Sequence, residues 1–187
     1  MNKSIRSKGR RRERRKSASS IVKFQKLDNF FAKEMTLLAR TILEMPYTLS
    51  YIKTHLNSPN GASYGALAKD GRLVGFVLGD IIVPETPACE FRELGMDPYN
   101  VFCIVLLVVE KEFRRLGIGR RLMQMIADPA TCAPVAHADG IFLHVNTANA
   151  GAIRLYTSLG YRPLRHIPNY YTQGPNHDAY LMIFKLG

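Results

Sequence analysis

The sequence predicts one α/β domain built around a mixed β-sheet with helices on both faces. Its 187 residues can bury one sizeable hydrophobic core but are too few for two ordinary domains. Apolar residues make up 47% of the chain and charged residues 22%, which excludes a wholly disordered chain, a coiled coil and a collagen-like fibre. The apolar run Val101–Val109 is typical of a strand buried on both faces and is too short to span a bilayer.

The N-terminal part of the domain predicts a strand followed by two helices. Residues 21–27 alternate loosely between apolar and polar side chains and predict the first strand. Apolar side chains at helical spacing predict a helix over residues 30–43. Pro46 interrupts this pattern, and a second helix is predicted over residues 47–56.

The middle of the chain predicts a hairpin and a long loop. Asp70-Gly71 is a strong two-residue turn and joins the predicted strands 63–69 and 72–83. Residues 84–100 carry mixed charge and two early prolines, so we predict a loop there.

The remaining chain alternates strands and helices. After the apolar strand, a glycine-bearing loop leads into a helix that ends near Ala127. A strand, a helix and two further strands are predicted at residues 141–145, 149–159, 160–167 and 179–186. The resulting order, βααββ–β–α–β–α–ββ, is the basis for predicting a mixed sheet covered on both faces.

The positive charge is concentrated at the N-terminus. The formal net charge is +11, and residues 1–16 hold nine lysine or arginine residues against one glutamate. Because like charges repel and little apolar surface is available to bury, we predict a disordered basic tail over residues 1–19, before a domain at 20–187. Such a tail suits a phosphate backbone, and ribosomal RNA is the expected polyanion. A nuclear import signal and a simply solvated tail are the open alternatives.

The cysteines indicate a reducing compartment. The chain has three cysteines at spacings that fit no metal-binding motif, and no apolar segment of a secretory signal follows the basic start. We therefore expect reduced thiols, no metal, no membrane span and a cytoplasmic protein, with the nucleus as the alternative that the tail suggests.

Residues 114–119 predict an anion-binding site. An apolar strand leads into a loop with Gly117 and Gly119, and a helix begins inside that loop. Glycines let a ligand approach the backbone closely, and a helix start presents unpaired N–H groups at the positive end of its dipole. This arrangement suits a pyrophosphate. The loop lacks the Gly-Lys-Ser/Thr ending of a P-loop and the third glycine of a dinucleotide fingerprint.

Two motifs resemble those of the GNAT acetyltransferases. Arg114-x-x-Gly117-x-Gly119 matches the R/Q-x-x-G-x-G/A motif of that family. Residues 149–161 are similar to its second motif, N-x-x-A-x-x-L-Y-x-x-x-G-F/Y. The resemblance covers about residues 20–187. It implies the GNAT fold, in which a mixed central sheet splays its two parallel strands.

This resemblance implies acetyl-CoA as co-substrate. The pantetheine arm would lie between the splayed strands, and backbone N–H groups of the glycine loop would hold the pyrophosphate. Tyr156 would be the general acid for the leaving thiolate, with simple packing on the sheet as the alternative role. The residues assigned to acetyl-CoA are Leu107, Val108, Val109, Arg114, Arg115, Leu116, Gly117, Ile118, Gly119, Arg120, Asn149 and Tyr156.

Three further stretches resemble the catalytic subunits of protein Nα-acetyltransferases. They are residues 45–51 (MPYTLSY), residues 143–145 (LHV), and residues 168–171 (PNYY) followed by 178–182 (DAYLM). The resemblance implies acetylation of the free α-amine at a protein N-terminus by direct attack, with His144 as base. Pro46, Tyr47, Tyr170 and Tyr171 would bind the peptide. An α-amine has a pKa of about 8, so a base in the histidine range suffices.

Several questions stay open at this point. Cys103 stands where several relatives place Tyr or His, which leaves a two-base mechanism in doubt. A histidine at position 144 resembles the NatA, NatE and NatF subtypes, whereas residues 45–47 resemble NatB and NatC. The subtype therefore stays open, as does the need for an auxiliary subunit. The alternatives are a GNAT enzyme that acts on a lysine or a small amine, and a non-catalytic GNAT-like subunit that binds RNA or a partner.

Overall fold

The computed structural model describes residues 21–43, 45–84 and 88–187. The predicted basic tail lies outside these residues, so its disorder and its boundary with the domain remain predictions. The described residues form a seven-stranded sheet with the strand order β1-β2-β3-β4-β5-β7-β6. The strands are β1 (Val22–Lys26), β2 (Ala62–Ala68), β3 (Leu73–Ile81), β4 (Val101–Val109), β5 (Gly140–Asn146), β6 (Arg162–Ile167) and β7 (Ala179–Lys185).

The sheet is mixed, and helices cover both of its faces. Neighbouring strands are antiparallel except β4 and β5, which are parallel. Because side chains alternate along a strand, Phe76 and Leu78 of β3 pack under α1 and α2, whereas Val77 packs under α4 and α5. The helices are α1 (Ala32–Leu43), α2 (Leu49–Leu56), α3 (Ala88–Glu93), α4 (Ile118–Ala127) and α5 (Ala150–Thr157). The predicted architecture is confirmed, and we call its two sides the α2 face and the α4 face.

The two parallel strands separate partway along their length. Their paired register ends at Ile104 of β4 and Leu143 of β5. Beyond that pair, β4 continues to Val109 and β5 to Asn146. The splay that the resemblance implied is therefore present, and it leaves a gap in the middle of the sheet.

A β-bulge in β4 lies at the start of this gap. Leu78 of β3 pairs with Leu106 of β4. The next residue of β3, Gly79, pairs with Ile104, so Val105 is an extra residue on β4. A bulge bends its strand and increases the local twist, which turns the rest of β4 away from β5.

The turn between β2 and β3 is confirmed. Gly71 has φ 85°, in the left-handed region that glycine adopts without strain, and Ala68 N donates to Arg72 O at 2.9 Å. α2 begins at Leu49, two residues later than predicted. Thr48 is its N-cap, since Thr48 Oγ1 accepts a hydrogen bond from Tyr51 N at 3.1 Å.

The prediction of a continuous loop over residues 84–100 is wrong, because α3 lies within it. The helix is held by Phe91, which is fully buried with its ring 5.9 Å from that of Phe142 on β5. Met96 completes this cluster on the α2 face. A helix this short shows too little periodicity to be read from sequence, and its stability comes from tertiary packing.

Candidate active site

The glycine loop connects the end of β4 to α4 and presents backbone donors. Gly117, the N-cap of α4, has φ 89°, and a Cβ placed on it would meet no atom within 4 Å. Arg121 N donates to Gly117 O at 3.0 Å and closes the first helical turn. The three N–H groups before it lack an intrahelical acceptor. They belong to Ile118, Gly119 and Arg120. The open turn fits the predicted anion site, because backbone N–H groups at a helix start bind phosphates.

The arginine side chains fasten this loop to its neighbours. Arg114 Nε donates to Val109 O at 3.0 Å, and Arg120 Nη2 donates to Ser158 Oγ at 2.7 Å. Arg115 has φ 64°, an uncommon left-handed value for a residue other than glycine. Arg114 and Arg120 hold the loop, and all three arginines are exposed and add positive potential around it.

The end of β4 that extends beyond its pairing with β5 lines the gap, while its other edge stays paired with β3. Leu107 and Val109 are half-buried and pack against the cluster under α4 and α5, as does Leu116 of the loop. Val108 is fully buried in the cluster under α1, so it can contribute to the α4 face only through its backbone. The wall that the resemblance assigned to the pantetheine arm therefore consists of Leu107 and Val109 side chains and strand backbone.

Asn149 is the N-cap of α5. Its Oδ1 accepts a hydrogen bond from Ala152 N at 3.0 Å, which satisfies one of the free donors at the helix start. The side-chain amide Nδ2 is the group that would contact acetyl-CoA, as the resemblance implies.

Tyr156 lies on α5, in the core of the α4 face. Its side chain is buried, and burial raises the pKa of its phenol, with a smaller contribution from Tyr171. The phenol is therefore neutral at pH 7 and retains a proton that it can donate. The predicted general acid thus keeps its proton, and the raised pKa makes it a weaker acid than a free tyrosine.

His144 is the first residue of β5 beyond its pairing with β4, and it remains paired with Leu181 of β7. Its ring stacks on Tyr170 at 4.3 Å with an interplanar angle of 17° and meets the edge of Phe142 at 6.0 Å. Burial lowers the pKa of His144 to about 4. The imidazole is therefore neutral at pH 7 and can accept a proton, and the lowered pKa makes it a weaker base than an unshifted histidine.

His144 and Tyr156 face opposite sides of the sheet. His144 shares the α2 face with Phe142, which packs against Phe91 of α3. Tyr156 belongs to the cluster under α4 and α5. The contribution of Tyr171 to the raised pKa of Tyr156 shows that these two phenols are within electrostatic reach. The predicted base and the predicted general acid thus lie on opposite sides of the sheet.

We call the surface around His144 on the α2 face the entrance. One of its walls comes from the segment before α2. Pro46 is exposed, and the next residue, Tyr47, is half-buried with its ring 5.6 Å from that of Tyr51. Arg40 Nε donates to Tyr47 O at 2.5 Å and fixes the segment to α1. Burial raises the pKa of Tyr47, and burial, Tyr47 and Cys103 together raise the pKa of Tyr51 to about 12.

The opposite wall comes from the loop between β6 and β7. The rings of Tyr170 and Tyr171 meet edge to face at 5.0 Å. Tyr171 N donates to His177 O at 2.8 Å, and His177 Nδ1 lies 2.6 Å from Tyr171 O. Burial, with a smaller contribution from Tyr47, raises the pKa of Tyr171 to about 12. The structure therefore stacks Tyr170 on His144 with Tyr171 beside it, and the contribution of Tyr47 to the pKa of Tyr171 brings the segment before α2 within electrostatic reach.

Cys103 does not supply a second base. It is buried between Asp80 on β3 and Phe142 on β5, and burial followed by the nearby Asp80 carboxylate raises the pKa of its thiol far above neutral pH. Cys103 stays a protonated thiol. Cys103 and Cys132 are both buried, free cysteines.

Sequence reasoning missed three polar residues on the α2 face: Tyr51, His55 and Asp80. His55 Nδ1 lies 3.1 Å from Asp80 Oδ2, and Ser58 Oγ donates to Asp80 Oδ1 at 2.8 Å. The only sequence feature that pointed there was a carboxylate inside the otherwise apolar run of β3. Sequence reasoning also missed His177, because this residue belongs to no periodic pattern and no motif.

Two features are absent from the described residues: a metal-binding cluster and a membrane-spanning helix. Residues 21–43, 45–84 and 88–187 contain no group of three or more His, Cys, Asp or Glu side chains able to hold a metal ion. No helix in those ranges is both long and apolar enough to cross a bilayer.

Solved structures share this fold. Arabidopsis thaliana NAA60 in complex with acetyl-CoA has a TM-score of 0.73 and 22% identity, over 88% of this chain and 99% of that one. The NatC complex bound to Gag peptide and CoA has a TM-score of 0.72 and 20% identity, over 89% and 99%. At these identities the likeness establishes the fold.

Sequence comparison establishes the family. The chain is 32% identical over 147 residues to the N-alpha-acetyltransferase of Sulfurisphaera tokodaii, covering 76% of this chain and 80% of that protein. Residues 27–161, which include the glycine loop and Tyr156, match the acetyltransferase (GNAT) family. The resemblance drawn from the two motifs is confirmed: the chain belongs to the GNAT family of acetyltransferases.

Proposed function

We propose that this enzyme transfers an acetyl group from acetyl-CoA to the free α-amine at the N-terminus of a protein. The observation that carries the proposal is the gap in the sheet, with neutral His144 on the face lined by four tyrosines and buried Tyr156 on the other. The name of the archaeal relative, and the acetyl-CoA and peptide in the two neighbouring structures, support the same reaction.

Acetyl-CoA fits the α4 face. The N–H groups of Ile118, Gly119 and Arg120 would hold its pyrophosphate, with the loop arginines adding positive potential. Leu107 and Val109 would line the pantetheine arm. The thioester supplies the activated acetyl group, and the gap would let that group reach the α2 face.

The proton transfers follow from the protonation states of the two side chains. A free α-amine, with a pKa of about 8, is partly neutral at pH 7. His144 would accept the proton that the amine loses, directly or through a water. The amine nitrogen would bond to the acetyl carbon as the carbon–sulfur bond breaks, and Tyr156 would protonate the departing sulfur. No covalent bond to the enzyme is required.

The α2 face suits a peptide better than a lysine side chain. Behind an α-amine lies a peptide backbone with N–H and C=O groups, which phenol hydroxyls can contact. The two walls carry such hydroxyls on Tyr47, Tyr51, Tyr170 and Tyr171. Behind the ε-amine of a lysine lies only a flexible methylene chain, which offers those hydroxyls no partner.

The basic segment 1–16 would bind ribosomal RNA and hold the enzyme near nascent chains in the cytoplasm. Nuclear import is the competing role of this segment. Since a neighbouring structure is a multisubunit complex, an auxiliary subunit is part of the proposal. The Nat subtype is left open, because residues 45–47 and His144 point to different subtypes.

A peptide panel tests the proposed reaction. The enzyme is incubated with acetyl-CoA and with peptides that carry a free α-amine, a blocked α-amine plus lysine, or neither, and the released thiol is measured. Thiol release only with free α-amines supports the proposal. Release with N-terminally blocked lysine peptides contradicts it. Acetyl-CoA binding without turnover of any amine would instead favour a non-catalytic binding subunit.

A further inference from the structure

Asp80 is a buried charge on the α2 face that the proposed reaction does not use. It is 5% exposed, and no other charged side chain in the described ranges is classed as buried. Its two carboxylate oxygens are engaged separately, Oδ2 by His55 Nδ1 at 3.1 Å and Oδ1 by Ser58 Oγ at 2.8 Å. Both partners lie at the C-terminal end of α2, so the carboxylate ties that end to the centre of the sheet.

Asp80, His55 and Ser58 form a polar network that lies on the same face of the sheet as His144. Asp80 of β3 is directly opposite Cys103 of β4, and Cys103 is in register with Phe142 of β5. Paired residues point to one side of a sheet, so all three face α2. The Phe142 ring in turn meets the edge of His144 at 6.0 Å.

A chain of ring contacts leads from this network to the entrance. The His55 ring lies 5.0 Å from the Tyr51 ring at 75°, and the Tyr51 ring lies 5.6 Å from the Tyr47 ring. Tyr51 is 40% exposed, and its ring packs between those of His55 and Tyr47. The orientation of His55 therefore sets the surface against which Tyr51 packs.

The backbone around His55 is held closely. A Cβ on Gly61 would lie 2.0 Å from the His55 carbonyl oxygen, so only glycine permits the observed approach of this loop to α2. Gly61 N also donates to Ser58 O at 3.0 Å. With Thr48 capping the other end, α2 is fixed at both termini.

We infer that His55, oriented by Asp80, is a positioning residue that holds Tyr51 and Tyr47 in the geometry that binds the peptide. The inference rests on the proposed function, because it takes the α2-face entrance to be the peptide site. Stability alone is a weak reason for such a pair, since replacing both partners of a buried hydrogen bond by apolar groups of similar shape is often nearly neutral. A hydrogen bond to a fixed carboxylate does set the plane of an imidazole ring, which apolar packing does not.

Steady-state kinetics of His55→Asn and His55→Ala test the inference. Asn keeps a side-chain donor near the position of Nδ1 but loses the ring that supports Tyr51. We expect both variants to raise the KM for a peptide about tenfold, in line with the loss of one well-oriented contact of about 1.4 kcal/mol. The kcat and the KM for acetyl-CoA should stay within about twofold of the wild-type values.

Thr36→Val is the matched control for stability. Thr36 is also buried and polar, and its Oγ1 donates to Ala32 O at 2.7 Å within α1. The variant should lower the Tm without changing the peptide KM. If it raises the peptide KM as much as the His55 variants do, general destabilisation explains the effect and the inference fails.

A measurement independent of turnover follows the tyrosines directly. In protein with 13C-labelled tyrosine, the ring resonances are assigned through Tyr47→Phe and Tyr51→Phe. In His55→Asn, the Tyr51 and Tyr47 signals should shift while that of Tyr99, which is exposed outside this network, should not. Unchanged Tyr51 and Tyr47 signals, or an unchanged peptide KM, would overturn the inference. Failure of the wild-type enzyme to acetylate any peptide would overturn the proposed function, and the resonance shifts would still decide whether His55 positions the rings.

Discussion

The two faces of the sheet differ in how far apart in the sequence their functional residues lie. The α4 face places its anion site and Tyr156 on elements of two short motifs, and its main donors are backbone N–H groups. The α2 face assembles its entrance from the segment before α2, from β3 and β5, and from the loop between β6 and β7. A site made from backbone tolerates variation in side chains, whereas a site made from distant side chains depends on the packing of every segment. Substitutions of side chains should therefore affect the binding of acetyl-CoA, the acetyl donor, less than the binding of the peptide, the acceptor.

The strongest test removes the proton donor or the proton acceptor on either side of the gap. Tyr156→Phe and His144→Ala should each lower kcat by about 100-fold or more, because each abolishes one proton transfer. The KM for acetyl-CoA should change little in His144→Ala, since His144 lies on the other face. Stopped assays that follow thiol release give both constants. A kcat within threefold of wild type would remove that residue from the mechanism.

The buried imidazole should also make stability depend on pH. Burial lowers the pKa of His144 to about 4 from 6.5, so between these values the unfolded chain binds the proton and the folded protein does not. Stability is complete above pH 6.5 and falls as the pH decreases toward 4, by about 2–3 kcal/mol. Urea unfolding at pH 7 and pH 4.5, for the wild type and His144→Asn, isolates this contribution. An equal loss in both proteins would show that His144 is not its source.

Blocking the glycine loop should affect the donor alone. Gly117→Val places a β-branched residue at φ 89° and fills the open space beside the helix start. We expect the KM for acetyl-CoA to rise by about tenfold or more, with the peptide KM unchanged. Calorimetry with CoA checks the binding step directly. Wild-type affinity for CoA in this variant would place the pyrophosphate elsewhere.

Removing a single hydroxyl from the entrance should affect the acceptor alone, and less strongly. Tyr171→Phe deletes one hydroxyl and leaves its main-chain hydrogen bonds to His177 in place. The peptide KM should rise about three- to tenfold, the usual effect of losing one hydrogen bond, while the KM for acetyl-CoA stays constant. Tyr99→Phe, at an exposed tyrosine outside the entrance, is the matched control. Equal effects of the two substitutions would contradict the assignment of Tyr171.

The smallest effect on catalysis is expected from the basic segment. Deletion of residues 1–16 removes a net charge of +8 that lies apart from both faces in sequence, so kcat and both KM values should not change. Association with ribosomes or RNA should weaken, and the loss should be largest at low salt because each phosphate contact releases counterions. Cosedimentation at two salt concentrations measures this. Salt-independent association of the full-length chain would exclude an electrostatic role.

The α4 face could be predicted because its chemistry is local. The glycine loop and the stretch from Asn149 to Tyr156 each place their groups within a turn or two of one element, so spacing in the sequence fixes spacing in the fold. The prediction failed at α3, where a short helix is held by the burial of Phe91 rather than by its own periodicity. It also gave His55 no role, because His55 acquires its partner only when β3 brings Asp80 alongside α2.

The sequence by itself determined the family, the order of strands and helices apart from α3, the glycine loop and the two proton-transfer candidates. Tertiary structure alone decided the directions in which the pKa values of His144, Tyr156 and Cys103 shift, since each depends on burial produced by distant segments. It also decided which tyrosines face one another across the entrance. Hydrogen-bonding capacity and backbone preference are properties of a residue and its near neighbours, whereas desolvation and long-range contact exist only after the chain has folded.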